Sequence, residues 1–159
     1  MKGRRAANSG DDGDLELGAA RSYTDNADGT ITDHRTGLMW EKLTNDSSIH
    51  NQYNTYTWEN AFAVKIATLN TPTCFAGHCD WRLPNINEVQ SLVHYGLIGP
   101  AIDPAFNNGV DSFTQPSSYW SSTTYAGSPG GAWFVDFGEG SVFADSKTSS
   151  VFVRAVRGS

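Results

Sequence analysis

The chain has 159 residues, 38% of them hydrophobic and 12% aromatic, with a formal net charge of −6. That length suits one domain with a real core, and a few large rings must carry much of its burial. The four basic groups of residues 1–22 (Lys2, Arg4, Arg5, Arg21) cancel the four acidic ones (Asp11, Asp12, Asp14, Glu16), so the whole charge falls on residues 23–159. An acidic domain excludes a polyanion partner such as nucleic acid, which needs a basic face.

Residues 1–21 read as a flexible, polar N-terminal tail, and residues 22–159 as the single domain. No run approaches the roughly 20 apolar residues of a membrane span, and Met1 to Ala20 lacks the apolar core of a signal peptide. Two short strands are expected around Asp28-Gly29, where positive φ is tolerated, and a second turn at Arg35-Thr36-Gly37 leads into buried Leu38-Met39-Trp40. The acidic residues near this turn do not make a calcium loop. With Gly29 at the sixth position, Thr24 stands first and Arg35 twelfth, where Asp and a bidentate Glu are needed. Residues 43–56 read as a loop. Thr57 then caps a helix with Trp58, Ala61, Phe62, Ile66 and Leu69 on one face.

Cys74 and Cys79 lie in the loop after that helix. The spacing suits a disulfide, worth about 2 kcal/mol by chain entropy; free thiols and metal or redox chemistry are the alternatives. Only His78 lies near enough to help with zinc, which needs about four ligands. The next stretch organises the chain. Asp80-Trp81-Arg82-Leu83-Pro84 should be extended, because Pro84 disfavours the α region for Leu83. Asp80 and Arg82 are expected to pair with backbone or with each other. Asn85 and Glu88 have capping-box spacing and start a second helix, with Ile86, Val89, Leu92 and Val93 on one face and Gly96 as its terminator. Asp80, Trp81, Arg82 and Pro84, with Trp40 and Trp120, are assigned structural roles.

Residues 96–118 are loop-like. Strands follow at 119–123, 132–137, 141–144 and 151–157, with Gly138-Glu139-Gly140 turning the second into the third. They predict an antiparallel C-terminal meander.

Five motifs occur in order: Asp28-Gly29-Thr30, Thr36-Gly37-Leu38-Met39-Trp40, Asp80-Trp81-Arg82-Leu83-Pro84, Tyr119-Trp120-Ser121-Ser122-Thr123 and Val153-Arg154-Ala155-Val156-Arg157. Over residues 11–158 the chain resembles the C-terminal domain family named after the Legionella collagen-like adhesin (Lcl). The resemblance implies an α+β, C-type-lectin-like fold, related to formylglycine-generating enzymes, with two helices packed on antiparallel sheets, a C-terminal β-meander and long loops. It also implies a secreted or cell-envelope location. Gly10-Asp11-Asp12-Gly13-Asp14-Leu15 resembles a segment preceding the domain in exported members, so an export signal is expected upstream.

The function expected is a non-catalytic, adhesin-like binding module that takes a surface glycan or protein through its C-terminal strands and loops. The sulfated-glycan binding of the named member is not carried over, because this chain is acidic. Candidate contacts are Thr123, Thr124, Tyr125, Phe134, Asp136, Asp145 and Lys147, which mix rings with hydrogen-bonding groups. No catalytic residue, metal or cofactor is assigned. His34, His50, His78 and His94 are scattered, Ser121-Ser122 lacks the glycine framing of a nucleophile elbow, and no Glu-Pro-Asn calcium motif occurs. Alternatives are a structural domain that assembles with copies of itself or with an envelope protein, and a variable receptor diversified by a retroelement.

Overall fold

In the computed structural model, which describes residues 21–158, Tyr23–Asp25 (β1) and Thr30–Asp33 (β2) pair antiparallel around the Asp28-Gly29 turn. The Asp28 carboxylate accepts from the Thr30 N–H and hydroxyl, and Asp25 accepts from the Ala27 N–H, so both acids serve the turn. Gly29 sits at φ +90° with the Phe75 ring 3.1 Å from where a Cβ would lie, so a side chain there would be strained and crowded. Met39–Glu41 (β3) adds to β2, and Val156–Arg157, the last strand of the chain (β9), adds to β3. The sequence-assigned tail lies outside the described residues except for Arg21, whose guanidinium donates to the Val93 carbonyl.

A second, five-stranded sheet forms the middle layer. Its strands are Thr55–Tyr56 (β4), Ser118–Thr124 (β5), Gly131–Asp136 (β6), Ser141–Ser146 (β7) and Val151–Phe152 (β8), in the order β4-β8-β5-β6-β7. Neighbouring residues of one strand face opposite sides, and the two core clusters follow that rule. Tyr119, Val135 and Phe137 join one cluster with Ile31, Trp40, Val89 and Leu92; Trp120, Ala132 and Phe134 join the other with Leu69, Trp81 and Leu83. The fold is therefore α+β, with apolar layers on both faces of this sheet. Trp40, Trp81 and Trp120 are all buried, as their sequence settings predict.

The C-terminal expectation needs a correction. β5, β6 and β7 do form an antiparallel meander, but residues 151–157 are not one further strand of it. β8 lies parallel to β5 and antiparallel to β4, and β9 crosses to the other sheet. The break falls at Val153–Ala155, where the Arg154 guanidinium turns inward. It donates to the carbonyls of Glu41 and Phe113 and to the Thr114 hydroxyl, and lies 5.1 Å from the Phe106 ring centre. A buried cation must be satisfied this fully, and the bond to Glu41 pins the crossing between the sheets.

The first helical segment begins as Trp58–Asn60, passes through a π-helical stretch Ala61–Ile66 and ends as Ala67–Leu69; together these are α1. Thr57 caps it, its hydroxyl accepting from the Asn60 N–H. The second helix, Ile86–Ser91 (α2), has the capping box its sequence announces. Asn85 Oδ1 accepts from the Glu88 N–H at 2.8 Å, and Glu88 Oε1 accepts from the Asn85 N–H at 2.9 Å.

α2 stops earlier than the spacing of its apolar residues predicts. Ser91 Oγ donates back to the Glu88 carbonyl, Leu92 is the C-cap, and Val93 leaves to bridge Ile102. Gly96 is not its terminator. Asp80 and Arg82 do not pair with each other, but Arg82 does meet backbone, donating to the Gly158 carbonyl at 2.9 Å. Asp80 takes the Arg157 guanidinium, while Arg82 holds Glu88 in a bidentate pair at 2.7 and 2.8 Å.

Cys74 and Cys79 form a disulfide, with Cα atoms 5.2 Å apart. The ring it closes presents Phe75 to Trp81, centroids 4.8 Å apart, and Trp81 Nε1 donates to the Phe75 carbonyl. From the end of α1, Asn70 exchanges side-chain hydrogen bonds with the Trp81 N–H and carbonyl, both at 2.8 Å.

Candidate ligand-binding groove

β5 and β6 do not pair evenly. Trp120 faces Phe134 and Thr124 faces Ala132, so three residues of β5 oppose the single residue Trp133. This bulge releases β5 groups to other elements. The Ser122 N–H donates to the Pro84 carbonyl, Thr123 Oγ1 accepts from the Ile86 N–H at the start of α2, and the Ser121 carbonyl accepts from Trp58 Nε1. The start of α1 is thus held against the sheet through an indole.

The turn after β7 completes the arrangement. Lys147 donates its N–H to the Gly130 carbonyl, and its own carbonyl accepts from the Trp58 N–H. Its ammonium donates to Thr124 Oγ1 at 3.0 Å and stands 4.1 Å from the Trp58 ring centre. Trp58 and Phe62 meet edge to face, centroids 4.7 Å apart and planes at 76°. Thr57, Trp58, Glu59, Phe62, Ala63, Lys147 and Thr148 line the resulting groove, whose volume is about 710 Å³. Its walls are two rings and a methyl; its polar groups are two hydroxyls, a carboxylate and an ammonium. A concave, mostly apolar site with a few polar groups suits a ligand that stacks and hydrogen-bonds together.

Of the residues selected from sequence, Lys147 lies in the groove and Thr124 holds its ammonium. Tyr125 follows at the tip of the β5–β6 hairpin, 37% exposed and edge-on to Trp133 at 5.0 Å. Thr123 holds α2. Asp145 accepts from the Ser146 N–H and the Ser149 hydroxyl, shaping the turn that carries Lys147. Two others lie elsewhere. Phe134, 9% exposed, packs in the core against Trp120, and Asp136 accepts from the Gly138 N–H at the far end of β6.

Trp58 and Phe62 are the residues that sequence reasoning missed as contacts, having placed them on the buried face of a regular helix. The π-helical stretch changes the phase of α1. Ala61, Lys65 and Ile66 turn inward, and Phe62 is left 38% exposed. No local signal marks the change of phase, because Lys65, buried within it, reads in sequence as an ordinary polar position of the helix.

Lys65 belongs to a second concentration of charge, enclosed by the fold. Its ammonium donates to Glu41 Oε2 at 2.6 Å and to the Ile49 carbonyl at 2.7 Å; His50 Nδ1 also meets Glu41 Oε2, and Glu41 Oε1 accepts from the Ala155 N–H. Burial alone would push the Glu41 carboxyl up. The Lys65 ammonium and the His50 ring outweigh it and hold the carboxyl down at about 2. The arrangement locks β3, α1 and residues 49–50 together, and its inaccessible acid and base make it a structural centre.

Residues 29–157 match a family model described as the Lcl C-terminal domain. No curated protein matches the chain.

Proposed function

The chain belongs to the Lcl C-terminal domain family, and on that premise we propose that it is a non-catalytic, adhesin-like module of the bacterial cell surface whose groove between α1 and the β7–β8 turn takes a glycan or protein ligand. The observation that carries this reading is the Trp58–Phe62 corner closed by Lys147. Rigid rings give contact area at low entropic cost, and the flanking hydroxyls, carboxylate and ammonium supply directional bonds.

Four further observations support it. The described histidines with assigned partners serve local structure: His34 bonds Thr24, His50 meets Glu41, and His94 Nδ1 accepts from the Gly96 N–H. The Cys74–Cys79 disulfide suits an oxidising compartment outside the cytosol. Among the described residues, no helix is long and apolar enough to cross a membrane. Among the described residues, three arginines are engaged and so withheld from a polyanion: Arg82 with Glu88, Arg157 with Asp80, and Arg154 inside the core.

The test is a binding screen of the full chain on a broad glycan array, with calcium and with chelator, alongside capture from envelope extract. Ligands retained by the natural chain should be lost from F62A and K147A, with thermal unfolding unchanged. Ligands that survive both substitutions would remove the groove from the account. Loss with chelator alone would bring in calcium.

A further inference from the structure

We propose that the outer edge of β7 accepts an extended segment of a partner protein as a sixth strand of the central sheet. The argument is independent of the groove. β7 ends the sheet, and all six of its residues pair with β6 in unbroken register, from Asp136↔Ser141 to Gly131↔Ser146. In such a ladder one side of the backbone is used, and alternate N–H and C=O groups point away from the sheet; at Ser146 the N–H is taken by Asp145 Oδ1 and the carbonyl by the Ser149 N–H, which leaves Val142 and Ala144 to offer theirs. Among the described residues no strand lies beyond them.

Proteins blunt such edges by keeping them short, by Lys or Pro, by bulges, or by a covering element. The other terminal strands follow this practice: β4 has two residues, β1 has three, and the Arg82↔Val156 bridge lies beside β9. β7 has six residues, no proline, no lysine and no register shift. It also carries Phe143, 49% exposed, whose ring lies 5.9 Å from that of Phe134.

The chemistry of the edge selects its occupant. Donors and acceptors spaced along an extended backbone are matched by another extended backbone, while side chains on alternate positions give selectivity. Phe143 and Asp145, two residues apart, share a face of the sheet. Asp145 is exposed, and its carboxylate accepts from the Ser146 N–H and the Ser149 hydroxyl, neutral donors of its own turn, so its charge remains to be met. The segment that fits places an apolar side chain opposite Phe143 and a Lys or Arg two positions away, opposite Asp145.

The probe is the nonapeptide Thr-Ser-Thr-Leu-Thr-Arg-Thr-Ser-Thr, added to the full chain and followed by hydrogen exchange. The expected result is slowed exchange at the Val142 and Ala144 amides, with affinity at least roughly tenfold weaker for F143K. D145K should likewise lose the peptide and regain it when the peptide's Arg is replaced by Glu, a charge reversal that a merely structural effect of the substitution would not reproduce. Three outcomes would overturn the proposal: no slowing at β7, slowing that F143K leaves intact, or concentration-dependent protection of the same amides without peptide. The last would make the occupant a second copy of this chain.

Discussion

The two helices serve their neighbours in opposite ways. α2 is short and regular, reciprocally capped by Asn85 and Glu88, and its Val89 closes one face of the middle sheet as its spacing requires. α1 is wound partly as a π-helix, buries a lysine, and leaves Phe62 on the surface beside Trp58. Regularity finishes a core. A change of helical phase exposes a ring where a ligand can reach it, and the charge it turns inward then needs a dedicated partner.

Breaking the α1 anchor should have the largest effect. E41A leaves the Lys65 ammonium buried with the Ile49 carbonyl and no carboxylate, at a cost of about 3–5 kcal/mol. Urea unfolding measures it, and the double variant E41M/K65M should recover part of the loss. The same anchor sets an acid limb. Glu41 falls from its ordinary 4.5 to about 2 in the folded chain, so its stabilisation is present above pH 4.5 and is lost as pH falls toward 2. The loss should be on the order of 3 kcal/mol, read as a falling denaturation midpoint, and E41Q should flatten that limb.

The contrast sharpens at α2, where no charge is buried. N85A removes half of the capping box and should cost about 1 kcal/mol with no acid signature of its own. The smallest stability change belongs to the groove: F62A, at an exposed position, should stay within about 0.5 kcal/mol of the natural chain. Its effect should appear in ligand retention instead. A large loss of stability in F62A would mean that the ring serves the core.

What the sequence revealed follows the range of the interactions concerned. The Asp28-Gly29 hairpin, the Thr57 cap, the Asn85–Glu88 box and the close cysteine pair are made by neighbours, and each was legible. The buried tryptophans were legible too, because each sits in an extended or apolar run. The Glu41–Lys65 pair joins residues 24 apart, and the Arg154–Glu41 bond joins residues 113 apart; no local pattern announces either. For the groove, Lys147 and Thr124 were found because polar residues among aromatics in a strand–loop region draw attention. Trp58 and Phe62 were hidden by an assumed period of 3.6 residues. The split of residues 151–157 between two sheets escaped for a related reason, since alternation persists through the break and only Arg154's distant partners mark it.

Lys147 bears on how this domain could vary. Its position is fixed by main-chain bonds, the N–H to Gly130 and the carbonyl to Trp58, whereas the groove feels its side chain. Any residue other than proline can make those two bonds. Position 147 is therefore a socket that accepts different residues without moving its walls. Related chains could exchange one recognition preference for another there at little risk to folding.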